Sequence, residues 1–188
     1  IIVPHAGYAS SGHAMMSAYQ HLEANENIFI IAPSHHESFN NIALPEYSFF
    51  ETPLGNLEVN NKLISEIAEK FPSIVADEVF ENEHSIEVQL PFIQNMFLPH
   101  KQSAVDFVKN LKKIGKKIKI VPVLVGNCDY RLISDLISAY WEESSFIISS
   151  DLSHYYTQQQ CRQIDTYTAT VIETGRIEFL EPQQACGI

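Results

Sequence analysis

Three short β-branched runs in this chain each end in a histidine. Ile1-Ile2-Val3 leads into Pro4-His5-Ala6-Gly7-Tyr8, Ile28-Phe29-Ile30-Ile31-Ala32 into Pro33-Ser34-His35-His36, and Phe146-Ile147-Ile148-Ser149-Ser150 into Asp151-Leu152-Ser153-His154-Tyr155. Runs of this kind, bounded by Pro, Gly and Ser, read as buried strands. An open α/β sheet binds its ligands just beyond the carboxyl ends of its strands. The pattern therefore predicts that His5, His36, Asp151 and His154 meet at one sheet edge. Imidazoles and a carboxylate converging in a cleft point to a metal site or to acid–base chemistry.

The rest of the chain supplies the helices that such a sheet needs. Ser10 and Ser11 are placed to cap a helix running to about Glu23, and residues 42–59 read as a strand and a turn at Thr52-Pro53-Leu54-Gly55. Amphipathic spacing predicts helices over 60–71, 83–97, 130–141 and 157–173, with Pro91 kinking or breaking the second of these. The apolar run from Lys119 to Gly126 reads as a central strand buried on both faces, with Pro122 expected at a bulge or near its start. Residues 99–117 carry little pattern and read as a peripheral insertion. Strands alternating with helices define an α/β class with a mainly parallel or mixed central sheet flanked by helices.

Composition narrows the function. The chain has 188 residues, 45% of them hydrophobic, enough for one sizeable core and one domain over 1–188. It opens inside an apparent strand without Met and is read as a portion of a longer polypeptide. Its formal net charge is −11, from 12 basic and 23 acidic residues, which argues against a general nucleic-acid or anionic-membrane binder. Lys112, Lys113, Lys116 and Lys117 form one basic run, read as a solvated surface segment. Three scattered cysteines without a Cys-x-x-Cys pair suit neither a disulfide framework nor a zinc knuckle, and a reducing cytoplasm is the compartment expected. No apolar stretch is long enough to span a bilayer.

Each candidate site residue has a bland alternative. Neighbours in an extended segment point to opposite sides, so only one of His35 and His36 is expected to face the cleft as His5 does. Asp151 and His154 are three apart. Asp151 can hold the His154 ring in one tautomer as an acid–base pair, or cap a helix starting near Leu152. His84 and Glu87, also three apart, can both ligate a metal or form a surface pair. Cys186 is a small hydrophobe or, beside two imidazoles, a soft third ligand for copper, zinc or iron.

Taken together, Pro4-His5-Ala6-Gly7-Tyr8, Pro33-Ser34-His35-His36, Thr52-Pro53-Leu54-Gly55, Glu83-His84-Ser85-Ile86-Glu87, Gln89-Leu90-Pro91-Phe92, Val121-Pro122-Val123-Leu124-Val125-Gly126, Ser149-Ser150-Asp151-Leu152-Ser153-His154-Tyr155 and Cys186-Gly187 resemble the Memo family. In bacteria and archaea this family is also called AmmeMemoRadiSam system protein B. The resemblance implies a fold like that of the class III extradiol (LigB-like) dioxygenases, which hold non-haem iron(II) with two histidines and a glutamate. It implies His5 and His36 as the retained metal histidines, Cys186 in place of the carboxylate, and His154 with Asp151 as catalytic acid–base residues. His35, His84, Glu87 and Tyr8 are the further pocket candidates. The expected cofactor is iron or copper, with zinc as the other option. The expected function is metal-dependent redox or oxygenase-type chemistry on a small-molecule or peptide ligand. The alternative is a non-catalytic module that binds a peptide or small ligand in the same cleft. Metal-assisted hydrolysis is a third route, and with no Gly-x-Ser-x-Gly elbow present it would have to run through the metal.

Overall fold

A computed structural model describes residues 1–23, 25–97 and 118–187. Six strands form the main sheet: β1 (Ile2–Val3), β2 (Asn27–Pro33), β3 (Ile42–Leu44), β6 (Ser73–Val75), β7 (Lys119–Val125) and β8 (Ser144–Ser149), in the order β1-β8-β2-β7-β3-β6. Only the β3–β7 pair is antiparallel. A separate hairpin joins β4 (Phe49–Thr52) to β5 (Gly55–Glu58) across the expected turn. The helices are α1 (Tyr8–Tyr19), α2 (Asn61–Lys70), α3 (His84–Glu87), α4 (Leu90–Phe97), α5 (Tyr130–Tyr140) and α6 (Gln158–Glu173). This is the expected α/β class with a mostly parallel central sheet flanked by helices, and it is compatible with a LigB-like fold.

The two central strands explain their own sequences. All five inner residues of β2 and of β7 are buried, because helices cover both faces of a parallel sheet. Fully burying one such aliphatic side chain is worth about 1.5–3 kcal/mol. Polar punctuation sets the helix ends. Asn60 accepts from the Leu63 backbone N–H at 3.2 Å, and Thr157 and Gln160 form a capping box on α6.

Three local expectations change. The first helix starts at Tyr8 rather than after Ser11, because the Ser11 hydroxyl turns back to donate to the Ala6 carbonyl at 2.6 Å. The predicted 83–97 helix is two pieces, α3 and α4, with Pro91 in the first turn of α4, where a missing N–H is tolerated. Pro122 sits mid-strand in regular register with Ile30, not at a bulge or a strand start. The carbonyl of Ile120 accepts from Asn60 N–H, and Gly126 N–H donates to Asn41, so the even-numbered residues of β7 face away from β2. On that side β3 pairs only with Leu124 and Val125, so Pro122 needs no donor there. The basic run over 112–117 and the proposed insertion lie outside the described residues.

Gly126 ends β7 where the chain after β2 folds back over it. A Cβ there would collide with the Phe39 carbonyl and lie 2.6 Å from a Phe39 ring carbon. Gly126→Ala is therefore expected to destabilise the protein by about 1–3 kcal/mol. An equilibrium urea melt checks this, and unchanged stability would show that the Phe39 loop yields.

Candidate metal centre

Strands β1, β8, β2 and β7 run parallel side by side, so their carboxyl ends share one edge. His5 follows β1, His35 and His36 follow β2, and Asp151 follows β8. α3 arrives from beyond β6 and packs against β2, bringing His84 to the same edge. One ring nitrogen from each of His5, His35 and His84 lies within 4.8 Å of the other two. Ring centroids are 5.0 Å apart for His5–His35, 5.7 Å for His5–His84 and 5.2 Å for His35–His84.

Glu83 sets this geometry. Its carboxylate is buried and accepts from the backbone N–H of His35 at 2.6 Å, from Ser85 N–H at 2.9 Å and from the His35 ring at 3.0 Å. Burial alone would raise its pKa. The backbone donors of His35 and Ser85, with the His35 ring, outweigh burial and bring it down to about 2. An ionised carboxylate only accepts, so His35 Nδ1 carries a proton and donates to it. A carboxylate holding the second nitrogen of an imidazole is the usual support of a metal-bound histidine. The His84 Nδ1 stands 3.6 Å from the same carboxylate.

Asp151 works on the backbone. Its Oδ1 accepts from the N–H groups of His5 at 2.7 Å and Ala6 at 3.1 Å, which fastens the loop after β1 to the end of β8. Its Oδ2 lies 4.0 Å from His5 Nε2. The His5 ring is buried, and its Nδ1 meets the Ser149 hydroxyl at 3.0 Å. Its Nε2 is buried with no hydrogen-bond partner. Burial pushes the His5 pKa below its ordinary value. Asp151 opposes that shift, and His35 and His84 add to it. The ring is therefore neutral at pH 7.

The candidates from the sequence separate at this edge. Among the described residues, the trio of ligating atoms is His5, His35 and His84, without His36 or Cys186. Glu83 captures both the backbone and the ring of His35, and His36 stands against His84, 6.4 Å between ring centroids. Cys186 is held at the same edge. Its N–H donates to the Asp151 carbonyl at 2.9 Å, and its carbonyl accepts from Ser150 Oγ at 2.9 Å. Burial raises its thiol pKa, and the Asp151 and Glu83 carboxylates add to that.

Asp151 neither orients His154 nor caps a helix at Leu152. Its carboxylate is taken by the β1 loop, and the next helix, α6, begins at Gln158. The exposed His154 ring donates from Nδ1 to the Leu152 carbonyl at 3.0 Å. Glu87 is exposed, and it lines a separate cavity of about 370 Å³ with Tyr8 rather than joining the histidines. The sequence reading passed over Glu83. Its signal was an acid directly before His84, opening a helix, in a chain whose other histidines needed outer partners.

A sequence profile described as Memo-like protein matches residues 1–182. A MEMO1 family protein of Aquifex aeolicus is 31% identical over 186 residues, which is 96% of this chain and 63% of that protein. A MEMO1 family protein of Thermoplasma volcanium is 34% identical over 161 residues, 82% of this chain and 54% of that protein. The protein memo-1 homolog of Caenorhabditis elegans is 34% identical over 164 residues, 82% and 42% respectively. The chain thus spans about half the length of the curated relatives it matches.

Glu83→Gln replaces an acceptor with an amide whose NH₂ must face one of the N–H donors of His35 or Ser85. The expected cost is about 1–3 kcal/mol, from a buried donor left without a partner. Denaturant unfolding of the metal-free variant measures it, and a neutral result would remove Glu83 from its organising place.

Proposed function

This chain belongs to the Memo-like family, and we propose that its three converging imidazoles hold one iron or copper ion for redox or oxygenase-type chemistry. The observation that carries the reading is the buried Nε2 of His5, without a hydrogen-bond partner, on a ring that has a nitrogen within 4.8 Å of ring nitrogens of His35 and His84. A buried polar atom without a partner costs free energy unless something binds it. Neutral imidazole suits iron, copper and zinc rather than magnesium or calcium, so the donor set fits the group. When bound, such an ion would supply Lewis acidity and one-electron chemistry.

The chain's own residues do the rest in this reading. Glu83 keeps His35 in the tautomer that binds. Asp151 keeps the His5 loop closed and places negative charge near the ion. His154, its Nδ1 committed to the Leu152 carbonyl, offers Nε2 as a proton carrier. A cavity of about 1400 Å³ beyond the ends of β2, β7 and β8 is lined by Asn127, Arg131, Ser150 and Cys186, and it is the place for a small-molecule or peptide ligand. Among the described residues no helix is long and apolar enough to cross a membrane, and a cytoplasmic setting accords with three free thiols.

Elemental analysis of anaerobically purified protein is expected to give about one equivalent of metal per chain. Loss of metal in His35→Ala and retention in His36→Ala supports the trio of His5, His35 and His84. The reverse supports His5, His36 and Cys186, the set implied by family resemblance. A ligand held equally well with and without chelator would favour the binding-module reading instead.

Metal affinity is also expected to fall on acidification once protons compete for the His5 ring, which begins below its ordinary range because burial lowers its pKa. The folded His5 has a lowered pKa, so below the unfolded value near 6.5 the unfolded chain binds the extra proton first. Stability of the metal-free protein is therefore present above that pH and lost on acidification. Chemical denaturation between about pH 8 and 5 measures the slope, and His5→Gln should flatten it.

A further inference from the structure

A line of buried side chains runs from α1 to the His5 ring, and its hydrogens can be assigned in one direction only. Tyr19, Gln89, Ser85, Ser149 and His5 are all almost fully buried. Gln89 Nε2 faces the Pro4 carbonyl at 2.9 Å, and a carbonyl only accepts, so the amide NH₂ must lie on that side. The amide oxygen then faces the Tyr19 hydroxyl, which donates to it at 2.9 Å. The same NH₂ donates to Ser149 Oγ at 2.9 Å.

Ser149 has one hydroxyl hydrogen. It goes to the Ser85 carbonyl at 2.6 Å, which is free because Gln89 N–H bonds to Ile86 instead. Ser149 Oγ therefore has only lone pairs left for the His5 ring 3.0 Å away. His5 Nδ1 must carry the proton, and His5 Nε2 must be bare.

We infer that Tyr19, Gln89 and Ser149 are positioning residues that lock neutral His5 in its Nδ1–H tautomer, presenting a lone pair on Nε2 toward His35 and His84. The inference rests on the reading of His5 as a ligand for its purpose, but the tautomer itself needs no metal. His35 reaches the same state through the Glu83 carboxylate, a charged route. His5 reaches it through a neutral chain that runs back to Tyr19, in the last turn of α1.

The test is nitrogen NMR of the histidine rings in metal-free, isotopically labelled protein at about pH 8, where imidazole is neutral. The wild type is expected to show His5 with a protonated Nδ1 and a bare Nε2 in a single tautomer. Ser149→Ala is expected to give a mixture of both tautomers, and Tyr19→Phe, remote from the ring, a smaller shift in the same direction. Zinc titration of the same samples is expected to weaken by about 10–100-fold in Ser149→Ala.

A proton on Nε2 in the wild type, or a mixture there, overturns the inference whatever the variants do. A single Nδ1–H tautomer with no zinc bound keeps this inference and defeats the metal reading. Tight zinc with the wrong tautomer does the opposite. Ser149→Ala that keeps a pure Nδ1–H ring removes Ser149 from the role.

Discussion

Everything at the site follows from four strands running the same way. β1, β8, β2 and β7 lie side by side in parallel, so each must give up its chain at the same edge. Parallel pairing forces every connection to cross the sheet, and what the strands hand over at their ends comes from distant parts of the sequence. His5 and Asp151 are neighbours in space and 146 residues apart in the chain. No local propensity brings them together. The pairing of β1 with β8, only two residues deep, does so with one carboxylate as its fastener.

The site itself is arranged around buried acceptors. Glu83 is a charge withdrawn from water, and such a group persists only when donors surround it. Its donors are two backbone N–H groups and an imidazole, and accepting them fixes where the loop after β2 must pass. That holds His35 where one of its ring nitrogens lies within 4.8 Å of those of His5 and His84. The alternation of an extended chain says that two adjacent histidines differ in direction. The carboxylate takes the backbone and the ring of the first of the two. Around His5 the same task falls to neutral groups, with Ser149 and Gln89 in place of a charge.

Much of this was legible in the residues. The β-branched runs marked the buried strands, the Thr52-Pro53-Leu54-Gly55 turn marked the hairpin, and Asn60 and Thr157 marked helix starts, because each acts through its immediate neighbours. The convergence of His5 with the histidines after β2 followed from the rule about strand ends. The hold of Glu83 on His35 did not, since the two lie 48 positions apart. Pro122 misled for a related reason. Its missing donor matters only if a partner strand reaches it, and the length of β3 is not written near residue 122. The pairing of Asp151 with His154 was drawn from their spacing, but spacing of three has meaning only inside a helix, and the helix starts at Gln158.

The fastening of the loop after β1 to the end of β8 also has a consequence in time. A ribosome adds roughly 5–20 residues per second, so the carboxylate that His5 needs emerges on the order of ten seconds after the histidine itself. During that interval the nascent chain carries an unhoused imidazole and a two-residue strand with no neighbour to join. The edge that gathers these histidines is thus completed only after β8 and Asp151 have been made, long after His5 itself.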